Sequence, residues 1–287
     1  MTSGWIILDK DSGLFSRTAG GRVARMLGTK KFGHIGTLDP MATGVLVVML
    51  GGATRFIDFL PSHDKAYSAT VRLGITTDTL DTDGEVLTEK ESHVTAEEFK
   101  AALLSFLGET EQIPPMYSAI KKDGKKLYEL ARQGIEVERE GRKVNIYSLE
   151  MTGADEEKQE FSFEVKCSAG TYVRTLASDI GESLGCGAAL CSLRRIMAHG
   201  VEISRCKTLE ELTESDVVKL DTLLPYSAVT VSEAQAKRFR NGGELDTKRL
   251  KPKTEAGLYK VYSPDSTFLG LGEVKEDGML WVKRLYI

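Results

Sequence analysis

Gly33-His34-Ile35-Gly36-Thr37-Leu38-Asp39-Pro40-Met41-Ala42-Thr43-Gly44 is the stretch on which the reading of this chain turns. It is rich in glycine, and one carboxylate, Asp39, stands between an apolar residue and a proline. Pro40 disfavours the helical region for the residue before it, so Asp39 is expected in extended backbone. Gly33, Gly36 and Gly44 allow backbone shapes that a side chain forbids. An acid fixed in a stiff, close-approach loop suits presentation to a bulky ligand. The plain alternative is a turn between a surface helix and a buried strand, with Asp39 as an ordinary turn residue.

The flanking charge favours the first reading. From Ser12 to Leu38 there is no Asp or Glu, while Arg17, Arg22, Arg25, Lys30 and Lys31 are all basic. A polyanion gathered by those cations would bring one of its parts to Asp39.

The stretch resembles the catalytic motif of the TruB family of pseudouridine synthases, whose pattern runs close to Gly-His-x-Gly-x-Leu-Asp-Pro-x-Ala-Thr-Gly. Further matches follow in the same order, so the resemblance covers roughly residues 4 to 228 well and the remainder more weakly. It implies an α+β fold: a central mixed, largely antiparallel sheet carrying the cleft, then a small C-terminal β-barrel of the PUA type. The division it implies is a catalytic part over 1–228, with an RNA-binding insertion near 112–140, and an RNA-binding part over 229–287. By resemblance Asp39 is the catalytic aspartate. It would break the N-glycosidic bond of a uridine, after which the uracil turns and its C5 joins the ribose C1′. No atoms are gained or lost, so no cofactor or metal is implied. A carboxylate suits either addition to the anomeric carbon or removal of a proton from C2′.

The same resemblance supplies partners for Asp39. Gly170-Thr171-Tyr172-Val173-Arg174 is similar to the family's Gly-Thr-Tyr-x-Arg, which makes Arg174 the cation paired with Asp39 and Tyr172 a wall of the uridine pocket. Arginine cannot lose its charge, which suits a cation that holds an acid beside RNA phosphates. Tyr67, in Lys65-Ala66-Tyr67-Ser68, matches the pocket tyrosine; its ring would stack on uracil and its hydroxyl would accept the C5 proton, directly or through water. His34 matches a residue that occupies the place of an extruded base. Leu193, in Ser192-Leu193-Arg194-Arg195, matches an apolar contact to the uracil. Lys10 closes the first strand, where the family usually reads Lys-Pro and this chain reads Lys10-Asp11; the resemblance counts it among the substrate-binding residues. Ile113 to Lys121 and the lysines that follow match a mobile insertion, and their polar composition suits a loop ordered on binding. Each of these residues also has an ordinary structural reading, as a core leucine, a strand tyrosine or a loop histidine.

Composition sets the frame. The chain has 287 residues, 41% hydrophobic and 28% charged, which is ordinary for a globular protein of one large domain or two. No apolar run approaches the roughly 20 residues that span a bilayer, and the N-terminus lacks a basic signal-peptide start. A cytoplasmic protein is therefore expected, without a membrane partner. Net charge is −4, but the charges are segregated, with basic clusters at 17–31, 121–126, 139–143 and 237–253. An acidic protein can thus still present a basic face. Cys167, Cys186, Cys191 and Cys206 form no Cys-x-x-Cys and are read as reduced thiols. A P-loop, a zincin motif, a nucleophile elbow and a dinucleotide fingerprint are all missing from the sequence.

Local patterns predict strands at 5–8, 45–50, 65–73, 144–151, 161–167 and 191–197, and helices at 18–27, 53–60, 95–107 and 172–184. A helix is expected within 209–220 and a small one at 234–240, before short strands at 259–262, 268–274 and 280–285. Asp123-Gly124 marks either a hairpin or the entry to a helix. The expected activity is isomerisation of the T-loop uridine of tRNA at the position usually numbered 55, by a monomer whose partner is the tRNA T-arm. Help with tRNA folding is compatible with it. The alternatives are a guide-dependent synthase of the Cbf5/dyskerin type and a non-catalytic RNA-folding factor. A plain glycosidase is disfavoured because no second acid matches.

Overall fold

The computed structural model describes residues 2–60, 64–122, 124–251 and 253–286. In chain order the main elements are β1 (Gly4–Lys10), α1 (Ser16–Met26), β2 (Phe32–Ile35), β3 (Thr43–Leu50), β4 (Lys65–Leu73), β5 (Ile75–Thr77) and β6 (Val86–Glu89). Then come α2 (Ala96–Leu104), β7 (Gly108–Gln112), β8 (Lys121–Lys122), β9 (Lys125–Lys126), α3 (Leu127–Ala131), β10 (Arg142–Asp155), β11 (Glu160–Cys167) and α4 (Val173–Ser183). β12 (Ala188–Ala198) and β13 (Val201–Glu202) complete the first sheet. The second is built from β14 (Ser227–Thr230), β15 (Leu245–Asp246), β16 (Gly257–Tyr262), β17 (Phe268–Val274) and β18 (Met279–Leu285), with α5 (Glu233–Arg240) packed beside it.

The α+β expectation holds, with a mixed sheet at the centre. Its main path among the described residues is β1-β3-β12-β4-β11-β10-β7, with β2 on β3 and β13 on β12. Every pairing is antiparallel except β12 against β3.

The run Val45–Leu50 has no polar alternation because both faces of β3 are covered. Leu46, Val48 and Leu50 enter one core with Ile6 and Leu8 of β1. Val45, Val47 and Met49 enter a second core with Trp5 and Ile7. The first core is closed by α1, α2 and α4, through Val23, Phe99 and Leu176 among others, and Phe99 stacks on Phe161 at 4.5 Å. The second is closed by the segment Gly51–Phe59 and by Phe268 and Leu271 of β17. Phe56 and Phe268 lie 5.9 Å apart, so the C-terminal sheet shares a core with the central one.

The helix expected at 53–60 forms as a 3-10 helix over Gly51–Phe59. Two expectations are corrected. The segment 209–220 holds only short 3-10 turns, Glu214–Asp216 and the start of Leu220–Leu223. The reason is the edge of β1: its backbone bonds to Lys207 and Val218, with Trp5 N to Val218 O and Val218 N to Trp5 O both at 2.8 Å. The flanking chain is thus drawn out along a strand edge that would otherwise be unpaired. Gly33-His34, read only as loop, lies in β2, where Phe32 pairs with Leu50 and Ile35 with Val47.

Around 123–124 both readings apply: β8 and β9 pair as a hairpin and lead into α3. Asp123 itself lies outside the described residues. β14 straddles the expected boundary at 228/229 and pairs parallel with β16.

Gly44 marks where the sheet meets the Asp39 loop. Its φ is +99°, and a Cβ there would stand 2.2 Å from the carbonyl oxygen of Arg195 in β12. Gly170 has a similar φ of +90° with nothing within 4 Å of such a Cβ. Gly170→Ala is expected to cost on the order of 1–3 kcal/mol from backbone strain alone. Gly44→Ala should cost distinctly more, because it also forces β3 and β12 apart. Denaturant midpoints of the two variants check this; equal losses would show that the sheet accommodates the methyl.

Candidate active site

The Asp39 loop joins β2 to β3 and is tied down from below by the chain between β1 and α1. Ser16 Oγ donates to Leu38 O at 2.8 Å and accepts from Leu38 N at 2.8 Å. Gly13 N donates to Pro40 O at 2.8 Å, and Ser12 Oγ donates to Met41 O at 3.1 Å. Leu38 and Ala42 are buried, while the Asp39 side chain stays 37% exposed. The apolar neighbours therefore anchor the loop, and the acid is left facing outward.

Lys10 is fully buried beneath this loop. Its ammonium donates to Asp11 O at 2.8 Å, Leu14 O at 2.7 Å and Pro40 O at 3.2 Å. All three of its protons are engaged by carbonyls, so it braces the loop. Asp11 serves the same bracing through its carbonyl. Burial pushes Lys10 down to about 8, against the pull of Asp11 and Asp39 and with some help from Arg195.

Arg174, at the first turn of α4, reaches Asp39 from the other side. Its Nε lies 3.0 Å from Asp39 Oδ2, and the side chain is only 5% exposed. The rest of the guanidinium is equally engaged: Nη1 with Thr79 O at 2.8 Å and Asp81 Oδ2 at 3.4 Å, Nη2 with Tyr117 O at 2.9 Å. Asp81 is a second acid that sequence reasoning missed. It sits in Asp78-Thr79-Leu80-Asp81-Thr82-Asp83-Gly84, which has the composition of a solvated turn. The usable signal was the odd run of small polar residues around one leucine, Leu80, held at φ +64°. Asp81 accepts from Thr79 Oγ1 at 2.6 Å, and its carboxyl is pushed up by burial, against the pull of Thr79 and Arg174.

Tyr67 of β4 is buried, and burial raises its hydroxyl above the usual value while Arg195 pulls the other way. Tyr172 caps α4; its backbone N and O bond to the Gln112 side chain at 3.0 and 3.3 Å. The charge of Asp39 acts on Tyr67, Tyr172, Lys10 and Asp81 alike, so these groups share one neighbourhood. Leu193 is buried on β12, opposite Ala69 of β4. His34 lies on β2, with Nε2 3.3 Å from Thr37 Oγ1. Burial first, then Arg195 and Arg17, push it below the usual histidine value and favour the neutral ring. The insertion, expected as a loop ordered on binding, carries its own hairpin and helix and is latched to the site through Tyr117. The Tyr117 hydroxyl donates to Asp78 Oδ2 at 3.0 Å. Among the described residues no group of His, Cys, Asp and Glu is arranged to hold a metal ion. No helix of the described residues is long and apolar enough to cross a membrane.

The arrangement is a solvent-reaching aspartate, charge-paired and rigidly mounted in the loop that enters an inner strand of a mixed sheet, with aromatic groups beside it. The fold is that of the Cbf5 pseudouridine synthases. A Cbf5-Nop10-Gar1 complex matches with a TM-score of 0.71 at 22% identity, over 99% of this chain and 85% of that one. An H/ACA RNP bound to a substrate RNA containing 2′-deoxyuridine matches at 0.70 and 21%, with the same coverage.

In sequence, residues 24–173 match the N-terminal domain of the TruB family pseudouridylate synthases. Residues 174–225 match the tRNA pseudouridylate synthase B C-terminal domain, and 227–286 the C-terminal region of pseudouridine synthase II TruB. The chain is 44% identical over 293 residues to tRNA pseudouridine synthase B of Azoarcus sp. (strain BH72), covering 99% of this chain and 95% of that one. It is 42% identical over 291 residues to the protein of that name from Clostridium perfringens (strain ATCC 13124), covering 99% of both. The chain belongs to the TruB family and is an RNA pseudouridine synthase.

The bracing role of Lys10 has a consequence for stability. Between about pH 8 and its ordinary value of 10.5 the folded chain has released this proton and the unfolded chain still holds it. Where the unfolded state binds more protons, stability rises with pH. The contribution of Lys10 therefore increases across that window. Denaturant midpoints of wild type and Lys10→Met, measured from pH 7 to pH 10, should shift relative to each other in favour of wild type as pH rises. A constant difference would mean that Lys10 keeps its ordinary proton affinity in the fold.

Proposed function

We propose that this protein converts the T-loop uridine of tRNA, the position usually numbered 55, to pseudouridine. The observation that carries the reading is the Arg174 Nε to Asp39 Oδ2 pair at 3.0 Å, on an acid still open to solvent. A carboxylate with one oxygen held by a fixed cation keeps the other free for the anomeric carbon or for the C2′ proton. The names of the related proteins support tRNA as the substrate.

In this reading Asp39 starts C–N cleavage, Arg174 holds it, and Tyr67, Tyr172 and Leu193 form the uracil pocket. The neutral ring of His34 takes the place left by the extruded base. No cofactor enters the scheme, and the protein acts as a monomer in the cytoplasm. Residues 1–228 form the catalytic part, and 229–287 grip the RNA as a PUA-like unit. The five-stranded order β14-β16-β17-β18-β15 supports that last assignment. Help with tRNA folding would use the same surfaces.

The test is unmodified tRNA carrying tritium at uracil C5. Wild type should release one tritium per T-loop uridine. Asp39→Asn should release none yet bind tRNA with similar affinity, because the amide keeps the shape. Tight binding without release by the wild type would point to an RNA-folding factor or a guide-dependent enzyme. Lost binding in Asp39→Asn would make Asp39 a structural residue.

His34→Ala should slow capture of the base. Whole tRNA, whose T-loop uridine must be pulled from folded structure, should be slowed more than a short T-loop RNA. Equal slowing of the two substrates in single-turnover assays would argue against a base-replacing role.

A further inference from the structure

Arg195 is among the largest fully buried side chains of the molecule, with 1% exposure, and no step of the reading above uses it. It lies on β12, between the two strands that carry the site. On one side it pairs with Gly44 at the start of β3; on the other it pairs with Tyr67 of β4. Its Nε donates to Val45 O at 2.7 Å, and its Nη2 donates to Gly36 O at 2.8 Å. These two carbonyls flank the loop that holds Asp39, Gly36 just after β2 and Val45 within β3. The charge of the guanidinium also bears on the Tyr67 hydroxyl, pulling against the effect of burial. Gly36, at φ +66°, brings its backbone close enough that a Cβ would stand 3.2 Å from Arg195 Nη1. One planar cation thus ties both flanks of the aspartate loop together beside the tyrosine.

We propose that Arg195 is a positioning residue for the last step of the reaction, setting the direction of the Tyr67 hydroxyl relative to the Asp39 loop; this rests on the function proposed above. The argument is one of donors and acceptors. A guanidinium only donates. In a hydrogen bond between these cross-strand neighbours the Tyr67 oxygen can only accept, so its own proton points elsewhere and a lone pair is left for the pocket. The guanidinium itself is held in place by its burial and by the Val45 and Gly36 carbonyls.

The step this serves is loss of the C5 proton after C5 has joined C1′. The C5–H bond breaks, and its electron pair becomes the C5–C6 double bond. The C6–N1 π pair moves onto N1, which takes a proton from water. The C5 proton passes to the Tyr67 oxygen, and the Tyr67 hydroxyl proton leaves to water. The protein ends unchanged, and the base has only tautomerised.

The experiment compares single-turnover pseudouridine formation on tRNA made with ordinary uridine and with uridine deuterated at C5. The proteins are wild type, Arg195→Lys and Arg195→Gln, with unfolding midpoint and tRNA affinity measured for each. Lysine keeps the charge but lacks the planar fork that holds both carbonyls while facing the tyrosine. Misplacement of a reacting group by about 1 Å typically slows a step on the order of 10²-fold.

The expected result is a slowed Arg195→Lys that still binds tRNA and shows a C5 isotope effect clearly above the wild-type value. Arg195→Gln should behave likewise. Slowing with an unchanged isotope effect overturns the proposal, since Arg195 would then serve cleavage or the fold alone. An unchanged rate, or failure of both variants to fold, overturns it as well. A wild type that forms no pseudouridine in tRNA would instead overturn the parent reading and take this one with it, so the two failures are told apart by the wild-type arm.

Discussion

A buried guanidinium has to spend every donor on a partner, because an uncompensated charge in a protein interior costs several kcal/mol. Arg174 meets that demand with two carboxylates and two carbonyls drawn from three distant parts of the chain: Asp39, the turn holding Thr79 and Asp81, and Tyr117. The pairing positions more than the acid. It sets the height of the Asp39 loop over α4, holds the turn at 78–83 against the site, and latches the insertion at Tyr117. Two acids share one cation, and the two are kept different by burial. Asp81 is enclosed and its carboxyl is driven upward, while Asp39 keeps contact with water.

The sheet supplies the rigidity that this arrangement needs. β3 is apolar on both faces, and the two cores that it separates clamp it in place. The loop leaving its N-terminal end inherits that stiffness. Lys10, Ser16 and Arg195 then fix the loop to β1, α1 and β12 through backbone carbonyls and amides. Such bonds hold geometry without regard to side-chain identity in the loop, which leaves the Asp39 side chain free for Arg174 and solvent. The shared core around Phe56 and Phe268 extends the same frame to the C-terminal sheet. The C-terminal sheet and the site therefore belong to one body.

Much of this was legible from sequence because it was local. The helix read at 95–107 opens on Thr95, with Glu98 N donating to Thr95 Oγ1 at 3.3 Å. The alternation in 65–73 and 161–167 yields paired strands in register. What failed was what depends on distant chain. The helical pattern at 209–220 is overridden by the open edge of β1. Gly33-His34 has weak strand propensity and becomes a strand only because β3 offers it free backbone groups. Asp81 looks like a turn residue until Arg174, 93 positions away in the chain, folds over it.

The sequence by itself determined the family, the acid and its cation, because a long motif around Asp39 and a second around Arg174 are written in contiguous residues. It also determined which segments alternate and which are apolar throughout. The tertiary structure alone decided what surrounds those residues. Lys10 became a brace, Arg195 a buried junction and Asp81 a second acid through contacts between residues far apart in the chain. Burial and pairing are properties of an environment, and they set proton affinity and direction for groups whose sequence neighbours say nothing of either.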